Sequence, residues 1–570
     1  MMMNRRKKLI AAAVCVLALT ALLVLPARLL SLGAHHAGDR DAEHMIGPML
    51  SLLDKSPAET AHTPVSDMMD IEDVWAVEDT REERFEAPLV AGMRNGDSEL
   101  GYDAESNTFY CTVGLDGEDW PALQLFAAPA EGTENLGVTW IDDYSYDFMS
   151  DAVSEGYRYE LMAYTDTEYA YFGIVFTGLP TVTLHVDGGK EALCDEYIPA
   201  RMSVSSAEHE AISSGAWVHL RGGGFEKARP KWSFRVEFHE VTGRGDKKTA
   251  RSVLGMPADT DWLLISNASD ESCVRNEISW DLWRDWNEDD HAFMLLESRM
   301  VEVFLEDEYM GVYQVMQRIN EEEEIVRMGG SLASDYTARV VKKENLGKRP
   351  NIDWMEEAGF YGELRQAPQG VSAASAFDRF APYIAMSAQP KKYISDEEFT
   401  ALCEKHVDVR EMLEYFLFVQ AASLGHDNYF NNVYMWALWN GENHVYHLSP
   451  WDMDASFIRM FGNGDQDTIN LLYTLCTRMV ELDIGGARGM LWEIWNDKRN
   501  TVITDDAMYN RLLEQEELLN RSGAYLRETE KWFGEARTLD LTEMQVFALE
   551  HLRVADFMMS ELFPHENAVY

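Results

Sequence analysis

At 570 residues the chain is too long for one ordinary core and predicts two or three folded units. Its 46% hydrophobic and 11% aromatic content is that of a globular protein, and the absence of a fixed-period repeat excludes solenoids and collagen-like arrays. A net charge of -49 repels nucleic acid and anionic lipid, which excludes both as main partners, and suits either plain solubility or basic protein substrates.

Four basic residues, Arg5-Arg6-Lys7-Lys8, precede an uncharged apolar run from Leu9 to Pro26. As a helix that run reaches about 27 Å, near the thickness of a bilayer's hydrocarbon core. The basic flank sets the N-terminus in the cytoplasm and the remainder outside. Residues 1–34 thus read as a signal peptide or a transmembrane anchor: Leu32-Gly33-Ala34 offers small residues for cleavage, but Arg28 interrupts the approach to it. The expected location is extracytoplasmic, membrane-anchored through this one helix, or secreted if the segment is cleaved. Without it, 44 basic residues face 98 acidic ones. Beyond Cys15 in the apolar run, five scattered cysteines form no Cys-x-x-Cys pair, so neither a zinc site nor a disulfide framework is predicted.

Residues 35–85 are polar and acidic and read as a linker with one helix near Met45 to Leu53. Residues 86–178 carry short alternating segments such as Thr108 to Val113 and Ala170 to Phe176, predicting a small β-sandwich-like domain. From 179 to 465 strands recur at Ala216–Leu220, Ser233–Phe238 and Met300–Leu305. Cys273 to Trp286 is helical in period, with Val274, Ile278, Leu282 and Trp286 on one face, and a further helix is expected from Val409 to Ser423. Residues 466–570 are helical, with apolar spacing around Leu512–Leu526 and Met544–Leu562. The fold class is α+β.

The chemistry concentrates in Asp427, within Gly425-His426-Asp427-Asn428-Tyr429-Phe430-Asn431-Asn432, and in Asp452 and Asp454 of Pro450-Trp451-Asp452-Met453-Asp454, beyond a strand-like stretch from Asn432 to Leu448. Acids in loops more often cap helices or close turns. This order of acid, amide, strand and acids nevertheless suits a site for magnesium and a nucleotide phosphate, because a hard cation needs oxygen ligands and an attacking hydroxyl needs a carboxylate. Asn432 follows Asp427 at the base-to-amide offset of the kinase catalytic loop, with Asn431 an equal candidate as a metal ligand. His426, His444 and His447 are not spaced for one metal face, which weighs against a metal-dependent hydrolase.

In order, Arg221-Gly222-Gly223-Gly224, Lys231-Trp232-Ser233-Phe234-Arg235, Leu254-Gly255-Met256-Pro257, Arg275-Asn276, Ser298 to Leu305, Glu308-Tyr309-Met310-Gly311-Val312-Tyr313 and the acidic run at Pro450 resemble the CotH family of spore-coat protein kinases. The resemblance runs from about Leu179 to Gly462. It implies an atypical protein-kinase-like fold, ATP with Mg2+ or Mn2+, and phosphoryl transfer to Ser or Thr of protein substrates. By the same resemblance Asp427 is catalytic, orienting the acceptor hydroxyl, and Asp452 and Asp454 bind metal. Lys231, following a glycine-rich turn, is chosen to pair ATP phosphates with Arg235 behind it, although a solvated strand-end lysine is an equal reading. Arg275 and Glu277 reach toward the site from the helix, a kinase-like partnership of Lys231 with Glu277 being one reading. Met316 and Gln317 sit where an adenine-binding connection is expected, although ordinary core or strand-exit roles are the stronger reading for each, and Trp451 adjoins the nucleotide. Family relatives carry polar Asn or Ser where this chain has Gly223 and Gly224. The competing function is a non-enzymatic surface scaffold or adhesin on the same fold, which export away from cytoplasmic ATP favours and the intact acids disfavour.

Overall fold

The computed structural model describes residues 62–84, 88–115, 122–141, 148–222, 230–242, 245–287, 292–341, 343–346, 351–387, 394–424, 428, 431–457 and 474–562. The N-terminal apolar run, the helix expected near Met45 to Leu53, the glycines at 223 and 224, and Asp427 all lie outside them. Among the described residues no helix is long and apolar enough to cross a membrane.

Among the described residues, regular structure is already present within the segment read as a linker. The strand Thr63–Ser66 pairs antiparallel with Leu125–Pro129 through Thr63 and Pro64, and parallel with Gly137–Trp140 through Val65 and Ser66. It joins two wings of a sheet that has ten strands among the described residues. Met93, Phe109, Ala127, Leu161 and Phe172 from both wings share one core. The helix Ile71–Thr80 follows. Its Val74 and Val77 pack on Met162 and Tyr169, while Glu72, Asp73 and Asp79 remain exposed. Acids on the outer face had concealed an i, i+3 apolar pair, the smallest amphipathic signal a helix gives.

The next sheet has eight strands among the described residues, in the order Ile212–Arg221, Ile198–Ser205, Thr181–Val186, Ser298–Leu305, Glu308–Gln317, Asp261–Ile265, Ser233–Thr242 and Gly245–Lys248. Pairing of Ile212–Arg221 with Ser233–Thr242 closes it into a barrel, from which Gly245–Lys248 extends as a hairpin. Strand alternation fills the interior: Phe234, Val236 and Phe238 point in with Val182, Met202, Val218, Trp262, Val303 and Tyr313. Arg235, Glu237 and His239 occupy the opposite parity.

The helix Arg275–Trp286 leads away from the barrel into the larger core, burying Ile278, Leu282 and Trp286 as its periodicity predicts. That core contains a four-stranded antiparallel sheet, ordered Gly362–Gln366, Tyr336–Val340, Val433–Trp439, His444–Pro450, and the helices Val409–Ala421 and Ala487–Asn500. The stretch read as one strand from Asn432 to Leu448 is a hairpin, turned at Gly441 (φ +102°) with the Asn440 N–H on the Asn443 carbonyl, 3.0 Å. The C-terminal region is helical. Its apolar period around Leu512–Leu526 covers two helices, Asp505–Arg521 and Ala524–Phe533. They part at Gly523, where φ is +67° and a Cβ would stand 2.2 Å from the Val153 carbonyl oxygen.

Candidate active site

The hairpin Val433–Pro450 brings both of its outer ends to one place. Trp451 N–H donates to the Asn432 carbonyl, 2.9 Å. The two residues flanking that bond, Asn432 (φ +53°) and Asp452 (φ +56°), hold left-handed backbone conformations, which Asn and Asp tolerate best among residues with a Cβ. Asn432 Nδ2 then donates to Asp452 Oδ2 at 3.3 Å, and Arg339 Nη2, from the adjacent strand Tyr336–Val340, donates to Asn432 Oδ1 at 3.0 Å. The guanidinium groups of Arg221 and Arg339 stand 5.5 and 5.9 Å from the Trp451 ring centre. Arg221 ends the barrel strand that runs into the glycine-rich turn. Barrel and small sheet therefore meet over Trp451.

Asp454 is held from the other side. Ser269 Oγ donates to its Oδ2 at 2.6 Å. Arg275, the first residue of its helix, is tied to Asp270 through Nε at 3.1 Å and to the carbonyls of Ser456 and Phe457 through Nη1 at 2.7 and 2.9 Å. These contacts anchor the acidic loop. Met453 N–H donates to Asn276 Oδ1 at 3.0 Å, and from there a buried relay runs inward. Asn276 Nδ2 donates to Gln314 Oε1 at 2.5 Å, and Gln314 Nε2 to Glu277 Oε2 at 2.6 Å. Ser298 Oγ also donates to Glu277 Oε2, 2.7 Å. Burial pushes the Glu277 carboxyl up to about 7, and the nearby Asp281 carboxylate adds to this against the hydrogen bonds that favour its charge. Glu277 thus faces the interior and is not the partner of Lys231.

Lys231 has another glutamate. Its Nζ donates to Glu528 Oε1 at 2.6 Å and to the Val312 carbonyl at 2.8 Å, with both charged side chains 5% exposed. The solvated strand-end reading is excluded, and the partner comes from the C-terminal helix Ala524–Phe533. Arg235 sits on the outer face of the barrel, bonded to Asp261 and over the Tyr197 ring at 5.3 Å, as its parity beside Phe234 requires. Met316 is fully buried in the core and Gln317 donates to the Pro257 carbonyl at 3.2 Å. The structure does not bring these three residues to the acids, because their strand positions direct them into the core, onto the strand's exit or across the barrel's outer surface.

A family model described as CotH kinase protein matches residues 218–545, from the strand entering the glycine-rich turn to the last helix. The chain belongs to the CotH kinase family. A comparison with curated proteins finds no match.

In this CotH chain Asp452 and Asp454, both half-buried, present carboxylate oxygens; the Asn432 amide adjoins Asp452, and the Asn428 amide donates to the carbonyl of Trp451, the residue before Asp452. Asn428 Oδ1 is buried with no hydrogen-bond partner among the described residues. An all-oxygen donor set of this kind fits magnesium or manganese. Asn432 Oδ1 is occupied by Arg339, which leaves Asn428 the better-disposed amide. Among the described residues no group of three or more His, Cys, Asp or Glu converges as a metal site. Sequence reading missed Arg339, Ser269, Gln314 and Glu528. Arg221 was visible in its motif and Asn276 in the Arg-Asn pair, but neither carries a spacing that signals its partner.

Proposed function

We propose that the protein is an exported CotH-type kinase that transfers the γ-phosphoryl group of ATP to Ser or Thr hydroxyls of surface or spore-coat proteins. The observation that carries this reading is the convergence of Arg221 and Arg339 on Trp451, the residue before Asp452, within a chain of this family. Guanidinium forks match phosphate oxygens, and an indole offers a flat apolar face for a base. Asp452 and Asp454, with Asn428, are the residues that would hold magnesium or manganese; when bound, the cation offsets the charge of the phosphate oxygens. Asp427, which immediately precedes Asn428, takes the catalytic role: it orients the acceptor hydroxyl and accepts its proton. Catalysis of this kind rests on positioning and electrostatics. The acidic surface suits basic acceptor proteins, and the N-terminal segment would hold the enzyme at the membrane's outer side, or release it if cleaved.

An Asp427→Ala protein is expected to keep its thermal unfolding profile and lose transfer of labelled phosphate to a basic acceptor protein in magnesium or manganese. Equal labelling by variant and parent refutes the assignment. The complete engagement of Arg235 and Arg275 in ion pairs favours a second reading, a scaffold on an inherited kinase-like fold. Thermal stability with and without ATP and magnesium separates the two: binding at a hundredfold excess over Kd adds about 2.7 kcal/mol, and a scaffold gains nothing.

A further inference from the structure

The pair Lys231–Glu528 joins residues 297 positions apart and is buried on both sides. Its setting begins with a gap in the barrel. The strand Asp261–Ile265 pairs with Glu308–Gln317 only through Gln314 to Gln317, so the N–H and carbonyl of Val312 project beyond its end. Glu528 Oε2 accepts from the Val312 N–H at 2.7 Å, while the Val312 carbonyl accepts from Lys231 Nζ. Lysine, glutamate and the backbone of one residue, Val312, therefore form a closed ring at the barrel's end. Gly311 makes the approach possible: its φ is +93°, and a Cβ there would stand 2.0 Å from Glu528 Oε2. A neutral pair could satisfy the same two backbone groups without the desolvation cost of two buried charges, so the charge itself calls for a reason.

The same helix also grips the loop that seats the acids. Glu528 Oε1 lies 3.8 Å from Cys273 Sγ, and Tyr525 Oη donates to the Glu271 carbonyl at 3.1 Å. Two residues upstream of Glu271, Ser269 donates to Asp454. One helical turn thus touches the lysine of the barrel and the loop beneath Asp454. The Lys231 ammonium carries three N–H donors; Val312 and Glu528 take two, and the Tyr313 ring centre lies 5.1 Å from Nζ.

We propose that Glu528 is a positioning residue for phosphoryl transfer, which fixes Lys231 for the nucleotide phosphates, while Tyr525 of the same helix ties the loop that seats Asp454. It supplies from the C-terminal helix the carboxylate that ordinary kinases take from a helix in their first lobe. The proposal rests on the kinase reading above.

The test measures the ATP dependence of phosphate transfer by the full chain and by three variants. Glu528→Gln keeps an acceptor for the Val312 N–H and removes the charge; it is expected to raise the KM for ATP at least tenfold and, by leaving the Lys231 ammonium buried without its partner, to lower the urea unfolding midpoint. Lys231→Gln should do the same, and Lys231→Gln with Glu528→Gln should be no worse than Lys231→Gln alone, because the glutamate acts through the lysine. Parental KM and kcat in Glu528→Gln overturn the proposal, as does a further loss in the double variant. If Glu528→Gln alone does not fold, Glu528→Asp, which keeps the charge but draws it back from Lys231 by one methylene, decides: a raised KM with parental kcat supports the proposal and a parental KM overturns it. A parent that neither labels an acceptor nor is stabilised by ATP overturns the kinase reading and this proposal with it, whereas a labelling parent beside an unchanged variant overturns the proposal alone.

Discussion

The buried carboxyl of Glu277 gives the fold a pH dependence that one substitution should remove. Its pKa rises from 4.5 to about 7 on folding because burial disfavours the charged form and Asp281 repels it. At about 1.4 kcal/mol per pH unit, that rise corresponds to roughly 3 kcal/mol. The native state holds a proton that the unfolded chain releases between pH 4.5 and 7, so this group's contribution to stability falls as pH rises through that window and is level above it. Glu277→Gln does not titrate, and its side chain can still accept from Ser298 and Gln314. The variant should therefore gain on the parent by roughly 3 kcal/mol between pH 5 and pH 8, less whatever relief the parent obtains from Asp281, with which Glu277 titrates as a pair. Urea unfolding followed by tryptophan fluorescence at pH 5, 6, 7 and 8 measures the gap. A gap of constant size across that range means that Glu277 is ionised throughout and refutes the reasoning.

Arg527 donates to fully buried Glu302 through Nε and Nη2 at 2.8 and 2.9 Å, so Arg527→Met should cost about 3–5 kcal/mol in urea unfolding by leaving a buried carboxylate unpaired; recovery on adding Glu302→Gln checks the cause, and a loss below 1 kcal/mol contradicts it. Gly311→Ala forces a Cβ onto Glu528 and a positive φ onto alanine, so it should destabilise the protein by about 2 kcal/mol or more and weaken ATP use together; an unchanged unfolding midpoint contradicts the close approach. Arg339→Ala should lower ATP affinity about tenfold in calorimetric titration with little change in unfolding, since its ties are to Asn432 and the Trp451 face; unaltered affinity removes Arg339 from the phosphate site.

What the sequence made legible follows from local periodicity. Phe234, Val236 and Phe238 alternate because one side of their strand fills the barrel, and Ile278, Leu282 and Trp286 recur at helical spacing because one side of their helix meets the larger core. The same alternation already set Arg235 on the far side from that core, a consequence the motif resemblance obscured. The division of Val433–Pro450 into a hairpin was hidden because Trp436, Ala437, Leu438 and Trp439 carry apolar character right up to the turn. Of the site, the proximity of Asn432 to Asp452 was readable, whereas Asn428 was not singled out, because nothing in its spacing sets it apart from Asn431 and Asn432. Lys231 was readable as a residue but not in its contacts, since nothing near position 231 announces a glutamate 297 positions away.

That long-range pairing bears on where the working unit begins. The family match starts at residue 218, inside the strand Ile212–Arg221. The barrel cannot close without Thr181–Val186 and Ile198–Ser205, both upstream of it. The N-terminal module is fastened to the barrel in turn. Glu99 accepts from both terminal nitrogens of Arg201, and Thr177 meets Glu302 and Arg527 in one buried cluster. Arg527 and Glu528 are consecutive residues of one helix: the first ties it to Glu302 and Thr177, the second to Lys231 and Val312. A change at the junction of the N-terminal module is therefore expected to shift Lys231, and a fall in ATP affinity in Arg527→Met would show it; unaltered affinity would confine the junction to a role in stability.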